Sequence, residues 1–162
     1  DSGAYVIRGV DEVLQLLDDH IVVTQAMRGS PYIKPFANRV IEWENRLNGI
    51  QDVIDRWLAC QRLWVYLEPI FSSADIQVQM PTDYKNFSDV DTFWHSASKE
   101  TLQSPSVMTV TLKANLLEDL TEACDKLEVI NKNLAQYLGT KRMAFPRFFF
   151  LSNDELLEIL SQ

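Results

Sequence analysis

Residues 36–68, FANRVIEWENRLNGIQDVIDRWLACQRLWVYLE, decide the fold. Phe36, Val40, Trp43, Leu47, Ile50, Ile54, Trp57, Gln61 and Trp64 follow one another at alternating steps of four and three. That spacing is one stripe along an α-helix. Val53, Cys60, Leu63 and Leu67 widen the stripe toward its end. A helix over 36–68 is roughly 50 Å long at ~1.5 Å per residue, which predicts an elongated bundle rather than a ball. Gly49 in its middle costs about 1 kcal/mol relative to Ala, offset by packing. Pro69 is expected to end the helix.

The same period extends outward on both sides. Val10, Val13, Leu14, Leu17, Ile21 and Met27 predict an amphipathic helix stopped by Gly29-Ser30-Pro31. Pro31 and Pro35 make the following residues a turn or a strained helix start. Asp83 to Leu102 reads as helix, with Phe87, Val90, Trp94 and Ala97 facing inward, and Gln103-Ser104-Pro105 breaks it. A last long helix is expected to run from Val107 through Leu116, Leu120, Cys124, Leu127, Ile130 and Leu134 to Tyr137. Gly139 stands where a left-handed C-terminal residue belongs.

Two stretches depart from this period. In 74–80, Ile76, Val78 and Met80 alternate with Gln77 and Gln79, the pattern of a short strand or hairpin arm. In 145–151, Phe145-Pro146-Arg147-Phe148-Phe149-Phe150-Leu151 is short and aromatic, and Pro146 bars Phe145 from the helical region. An extended strand is expected there, paired with 76–80 or with chain outside these residues, and buried on both faces. A fully buried Phe148 would lose about 3–5 kcal/mol on truncation to Ala. Ser152 and Glu155 form a capping box for a final short helix carrying Leu156, Leu157 and Leu160. The fold class is thus mainly all-α, with a short β element near 74–80 and 145–151. The chain is one helical unit over 1–162, with a possible sub-boundary at 139–152.

The composition excludes several functions. The 162 residues are 46% hydrophobic and 23% charged with a net charge of −8, the opposite of a nucleic-acid surface. No apolar run approaches the ~18 residues of a membrane helix. There is no initiator Met and no leader pattern. The abrupt opening at Asp1-Ser2-Gly3 and the end at Ser161-Gln162 point to a piece of a longer chain. Cys60 and Cys124 sit inside helical patterns, as reduced structural thiols would.

A search for chemistry yields no catalytic, cofactor or metal site. There is no GxxxxGK phosphate loop. His20 and His95 have no helical partner at metal spacing, and the consecutive Asp18, Asp19 and His20 point in different directions. Glu42, Glu44, Asp52 and Asp55 read as a solvated helix face. Trp43, Trp57 and Trp64 share the seam. They are either core aromatics whose indole N–H finds a carbonyl, or the contact face for another module. Phe145, Pro146, Arg147, Phe148 and Phe150 form the second candidate interface. Lys141, Arg142 and Arg147 are either helix-end cations or contacts for an acidic partner.

Four stretches together resemble the linker region of dynein heavy chains, in the same order and over nearly the whole chain. They are SPYIKPF at 30–36, WENRLNGIQDVIDRWLACQRLWVYLEPIFSSADIQVQMP at 43–81, SPSVM at 104–108, and FPRFFFLSNDELLEIL at 145–160. W-x-x-x-Q-R-x-W-V-Y-L-E from Trp57 and F-P-R-F from Phe145 are the most specific. SNDELLEILSQ is more similar to axonemal heavy chains than to the cytoplasmic form. The resemblance implies an elongated helical arm that lies across a ring of AAA+ modules and bends and straightens during the ATP cycle. It implies ATP and Mg in that ring and none in this segment. It also implies a minus-end-directed microtubule motor in the cytoskeleton of a cilium or flagellum, with intermediate and light chains and microtubules engaged through other regions. The alternative from the residues alone is a static helical scaffold of spectrin or tether type.

Overall fold

The computed structural model describes residues 3–160; the opening Asp1-Ser2 and the closing Ser161-Gln162 lie outside them. Among the described residues there are seven α-helices and two short 3-10 segments. The helices are α1 (Asp11–Arg28), α2 (Ala37–Phe71), α3 (Ala74–Gln79), α4 (Pro81–Gln103), α5 (Val107–Val110), α6 (Leu116–Ala144) and α7 (Asn153–Leu160). None is long and apolar enough to cross a membrane.

The seam does form one helix, α2, about 52 Å long at ~1.5 Å per residue. Its buried apolar residues run Leu47, Ile50, Val53, Trp57, Cys60, Trp64, Leu67 and Phe71. Pro69 does not end it; the helix continues to Phe71. Proline removes one N–H, the one that would bond the carbonyl of Val65, four residues earlier. Val65 lies on the half-exposed side, so water can satisfy that carbonyl, while the burial of Leu67 and Phe71 holds the last turn in place. The two prolines before α2 resolve into a turn and a 3-10 segment, Lys34–Phe36, that leads into the helix.

Helices α2, α4 and α6 build the principal core. Phe71 stacks on Phe87, Trp64 meets Asp91, and Trp57 meets Trp94, so α4 runs antiparallel to α2. Asn133 donates to Asp83 and Lys113 pairs with Glu100, so α6 runs antiparallel to α4 and alongside α2. From α6, Leu120, Cys124, Leu127, Ile130, Leu134 and Leu138 fill the seam between them, and Leu156 and Leu157 of α7 close one end. Helix α1 folds back mainly on the first half of α2, over a small separate cluster of Leu17, Leu47 and Ile50, and its Val13 shares a hollow with Val53, Ile54 and Trp57 further along α2. Before α1, the segment 4–8 lies across α2 and α4. The Ile7 amide donates to Gln61 Oε1 and its carbonyl accepts from Gln61 Nε2, both at 2.8 Å. Gly9, at φ +67°, turns this segment into α1.

Both expected β segments are helical. Residues 74–79 are α3. Ile76 and Met80 are buried while Val78 is 76% exposed. In a strand these three would share a face, whereas on a helix i and i+4 align and i+2 points away. The alternation was therefore a four-residue step with an exposed Val inside it. Residues Pro146–Phe150 form a 3-10 segment. Phe145, at φ −131° and ψ 89°, stays outside the helical region as Pro146 demands, and Leu151, at φ −100° and ψ 143°, is extended. With 74–79 helical, no partner edge exists among the described residues. The backbone satisfies itself instead: Phe148 N–H donates to the Phe145 carbonyl and Leu151 N–H to that of Phe148.

The expected last helix is two. Val107–Val110 is separated from α6 by a turn ending at Asn115, whose φ of +67° is one that asparagine tolerates. Gly139 is not a terminal residue; α6 passes through it to Ala144. The buried Leu138 and the work of Arg142 keep that last turn helical.

Candidate interface site

The candidate residues fall into three places. Trp57 and Trp64 meet Trp94 inside the core. The Trp57 and Trp94 rings lie 5.1 Å apart at 49°, and those of Trp64 and Trp94 5.9 Å apart at 24°. Such tilted and offset pairs add about 0.5–1.5 kcal/mol each beyond their burial. Trp64 Nε1 donates to Asp91 Oδ1 at 2.9 Å. The same oxygen lies 3.4 Å from His95 Nε2, and the His95 ring stands edge-on to Trp64. The expected carbonyl acceptor for these indoles is therefore a carboxylate for Trp64. The buried Nε1 atoms of Trp57 and Trp94 have no partner among the described residues. Asp91 and His95 were missed as site residues because both lie on α4, and only folding brings that helix face beside Trp64.

Trp43 does not join them. It is 40% exposed on the first half of α2, where α1 packs against that helix. With Tyr32, Phe36 and Met27 it lines an open groove of about 710 Å³. Nearby Glu44, expected on a solvated face, is buried and accepts from Arg28 Nη1 at 2.9 Å. The fold of α1 onto α2 covers that carboxylate and supplies its cation.

The third place is the joint between α6 and α7. Arg142, in the last turn of α6, donates from Nη2 to the Leu151 carbonyl at 3.0 Å and to Asn153 Oδ1 at 2.8 Å. Its Nε reaches the Phe148 carbonyl at 3.4 Å. One guanidinium thus fastens the 3-10 segment and the start of α7 to the end of α6, using the fork geometry that suits Arg. The capping box forms as expected. Glu155 N–H donates to Ser152 Oγ at 3.3 Å, and Ser152 N–H to Glu155 Oε2 at 2.8 Å. The Ser152 backbone bond, then its hydroxyl, holds the Glu155 carboxyl below its ordinary value.

The aromatic run is not buried on both faces. Phe148 packs partly against the core and tilts on Phe145, 5.4 Å away. Pro146 and Arg147 are exposed. Phe145 and Phe149 are each 60% exposed and Phe150 91%. A 3-10 turn of five residues has only one face toward the core, so most of the rings point outward. The result is a set of solvent-facing phenyl rings next to the exposed Arg147, while Lys141 lies over the Tyr137 ring, 5.1 Å from its centroid.

The two cysteines are free and fully buried. Burial, reinforced by nearby Cys124, pushes the Cys60 thiol up to about 12; burial also raises Cys124. Neither is a thiolate near neutral pH, so neither is a ready nucleophile.

Comparison with known proteins agrees with the sequence resemblance. The family described as "Dynein heavy chain, N-terminal region 2" matches residues 1–162. The chain is 51% identical over 162 residues to dynein axonemal heavy chain 12 of Rattus norvegicus. It is 48% identical over 162 residues to dynein axonemal heavy chain 1 of Mus musculus, and 47% identical over 162 residues to dynein axonemal heavy chain 3 of Homo sapiens. Each alignment covers 100% of this chain but only 5%, 4% and 4% of the respective relative. A match to the family along its whole length, with about half the residues identical, places the chain: it belongs to the dynein heavy chains, within their N-terminal region 2.

Proposed function

We propose that this segment is part of the mechanical linker of an axonemal dynein heavy chain, a lever that transmits conformational change made in an AAA+ ring. The observation that carries this reading is the pairing of α2 and α6. Two helices of 35 and 29 residues run side by side, locked by an apolar seam, while the tryptophan cluster ties α4 to α2. A rod of this kind resists bending, and resistance to bending is what turns a small rotation at one end into displacement at the other. The segment itself carries no catalytic role. ATP and Mg are bound in the ring of the whole protein, which works on microtubules in a cilium or flagellum together with other dynein subunits. The exposed Phe145, Phe149 and Phe150, flanked by Arg147, form the contact by which the rod meets its neighbour at the joint of residues 145–152, a short altered stretch between rigid units.

The test uses the full-length motor with fluorophores at the two ends of α2 and a third in the ring. Across the ATP cycle the distance within α2 stays constant while the distance from α2 to the ring changes. A change within α2 would show that it is not a lever. Constancy of both distances would favour a static scaffold.

A further inference from the structure

The segment before α1 walls a hollow. Tyr5 to Gly9 form one side of a partly enclosed space of about 340 Å³, and Val10, Val53, Ile54, Trp57, Leu102 and Val110 supply most of the apolar remainder. These residues come from the start of α1, the middle of α2 and the ends of α4 and α5. Protein interiors hold few voids larger than one water molecule. This volume falls at the lower end of the ~300–1,000 Å³ of small-molecule sites, which are mostly apolar with a few placed polar groups.

The polar lining narrows the chemistry. Ser98, Thr101 and Thr111 each give their hydroxyl hydrogen to a helix carbonyl, those of His95, Ala97 and Val107. Trp57 differs. It is 3% exposed, and its buried Nε1 has no partner among the described residues. An unpaired buried donor carries a desolvation cost that an oxygen acceptor removes. Arg8 is the one charged residue among the described lining residues, and it is exposed. An anion drawn to it would pair in water, where such contacts are worth little. We propose that the hollow is a binding site for a small neutral molecule, mostly hydrocarbon, whose single carbonyl oxygen accepts from Trp57 Nε1.

The wall also offers an entrance. Segment 4–8 is held by the two bonds to Gln61 and by Tyr5 N–H donating to Ser98 Oγ at 3.4 Å. Tyr5, Val6 and Ile7 are half-exposed. Lifting the segment breaks these bonds without unpacking α2 from α6. A molecule beneath it would in turn pin the segment to α2 and α4. The inference stands whether the rod is a lever or a static scaffold.

The test uses benzophenone, a neutral diaryl ketone that cross-links to adjacent C–H groups under ultraviolet light, on the full-length heavy chain. The expected result is saturable labelling of residues that line the hollow, mapped by mass spectrometry. Diphenylmethane has the same two rings and no carbonyl. It is the more apolar compound, so hydrophobic transfer alone would make it the better competitor. With the Trp57 bond it should instead compete about fivefold more weakly than unlabelled fluorenone, a ketone of similar size. Trp57→Phe should abolish that preference, and Val110→Phe, which fills the hollow, should abolish the labelling. The competition is read on the parent chain, so it decides even if a variant fails to fold. Labelling that does not saturate, labelling only elsewhere on the chain, or equal competition by the two compounds would overturn the proposal. So would a preference that survives Trp57→Phe or labelling that survives Val110→Phe.

Discussion

The two halves of α2 share one helix and one repeat, yet differ in what surrounds them. From Val53 to Phe71 the helix is enclosed by α4, α6 and α7, and its tryptophans meet a third from α4. From Ala37 to Ile50 it is covered chiefly by α1, with a cluster of three buried apolar residues and an exposed Trp43. A heptad pattern therefore states which residues are able to be buried. Neighbours decide whether they are.

The sharpest way to break this comparison is to truncate equivalent seam residues in the two halves. Trp64→Ala, in the enclosed half, is expected to lose about 3–5 kcal/mol, because it removes the ring stack and leaves Asp91 without its indole donor. Leu47→Ala, in the open half, should lose about 2 kcal/mol, the low end for a buried Leu, since its surroundings relax more easily. Urea unfolding of both variants measures this; equal losses would erase the distinction.

Phe148→Ala tests the joint. Its half-buried ring should give up about 1–2 kcal/mol in the same assay, less than the 3–5 kcal/mol that full burial on a strand would entail. A loss of the larger size would mean that the ring is more enclosed than the 3-10 segment allows.

Glycine replacement sharpens the comparison in the opposite sense. Gly49 lies in the open half and Gly139 in α6, and an added Cβ at either meets nothing within 4 Å. Gly49→Ala and Gly139→Ala should each raise stability by about 0.5–1 kcal/mol. Helix propensity is local, so the two thermal shifts should be alike even though the packing around them is not.

The smallest effect concerns pH. The folded Glu155 carboxyl titrates below its ordinary value of 4.5, so it adds stability that is present above that value and fades as pH falls through the lower folded one. Glu155→Gln should therefore lower Tm near neutral pH, and the difference from the parent should close in acid, well below pH 4.5. A gap that persists in acid would mean that the cap does not depend on the carboxylate charge.

Much of the fold was legible in the residues. The seam of α2, the inward face of α4 at Phe87, Val90 and Trp94, the stop at Gly29 and the capping box at Ser152 all follow from spacing and chain chemistry, which act within one turn of the residue concerned. The short segments were not legible in this way. Ile76, Val78 and Met80 fit two periods over so few residues, and only the helix is compatible with burying the outer two. The aromatic run lacked a strand partner, a fact no reading of 145–151 contains. Asp91 and His95 gained their roles beside Trp64, 27 and 31 positions away, and Arg142 beside Phe148 and Asn153, 6 and 11 positions away.

The sequence by itself determined where the long helices α1, α2 and α4 lie and which family the chain belongs to, because backbone preference and apolar period are properties of neighbouring residues. Tertiary structure alone decided that Trp57 and Trp64 are core while Trp43 and the phenylalanines at 145, 149 and 150 face water. Burial is a relation between elements, and it exists only once another surface has arrived to exclude the solvent.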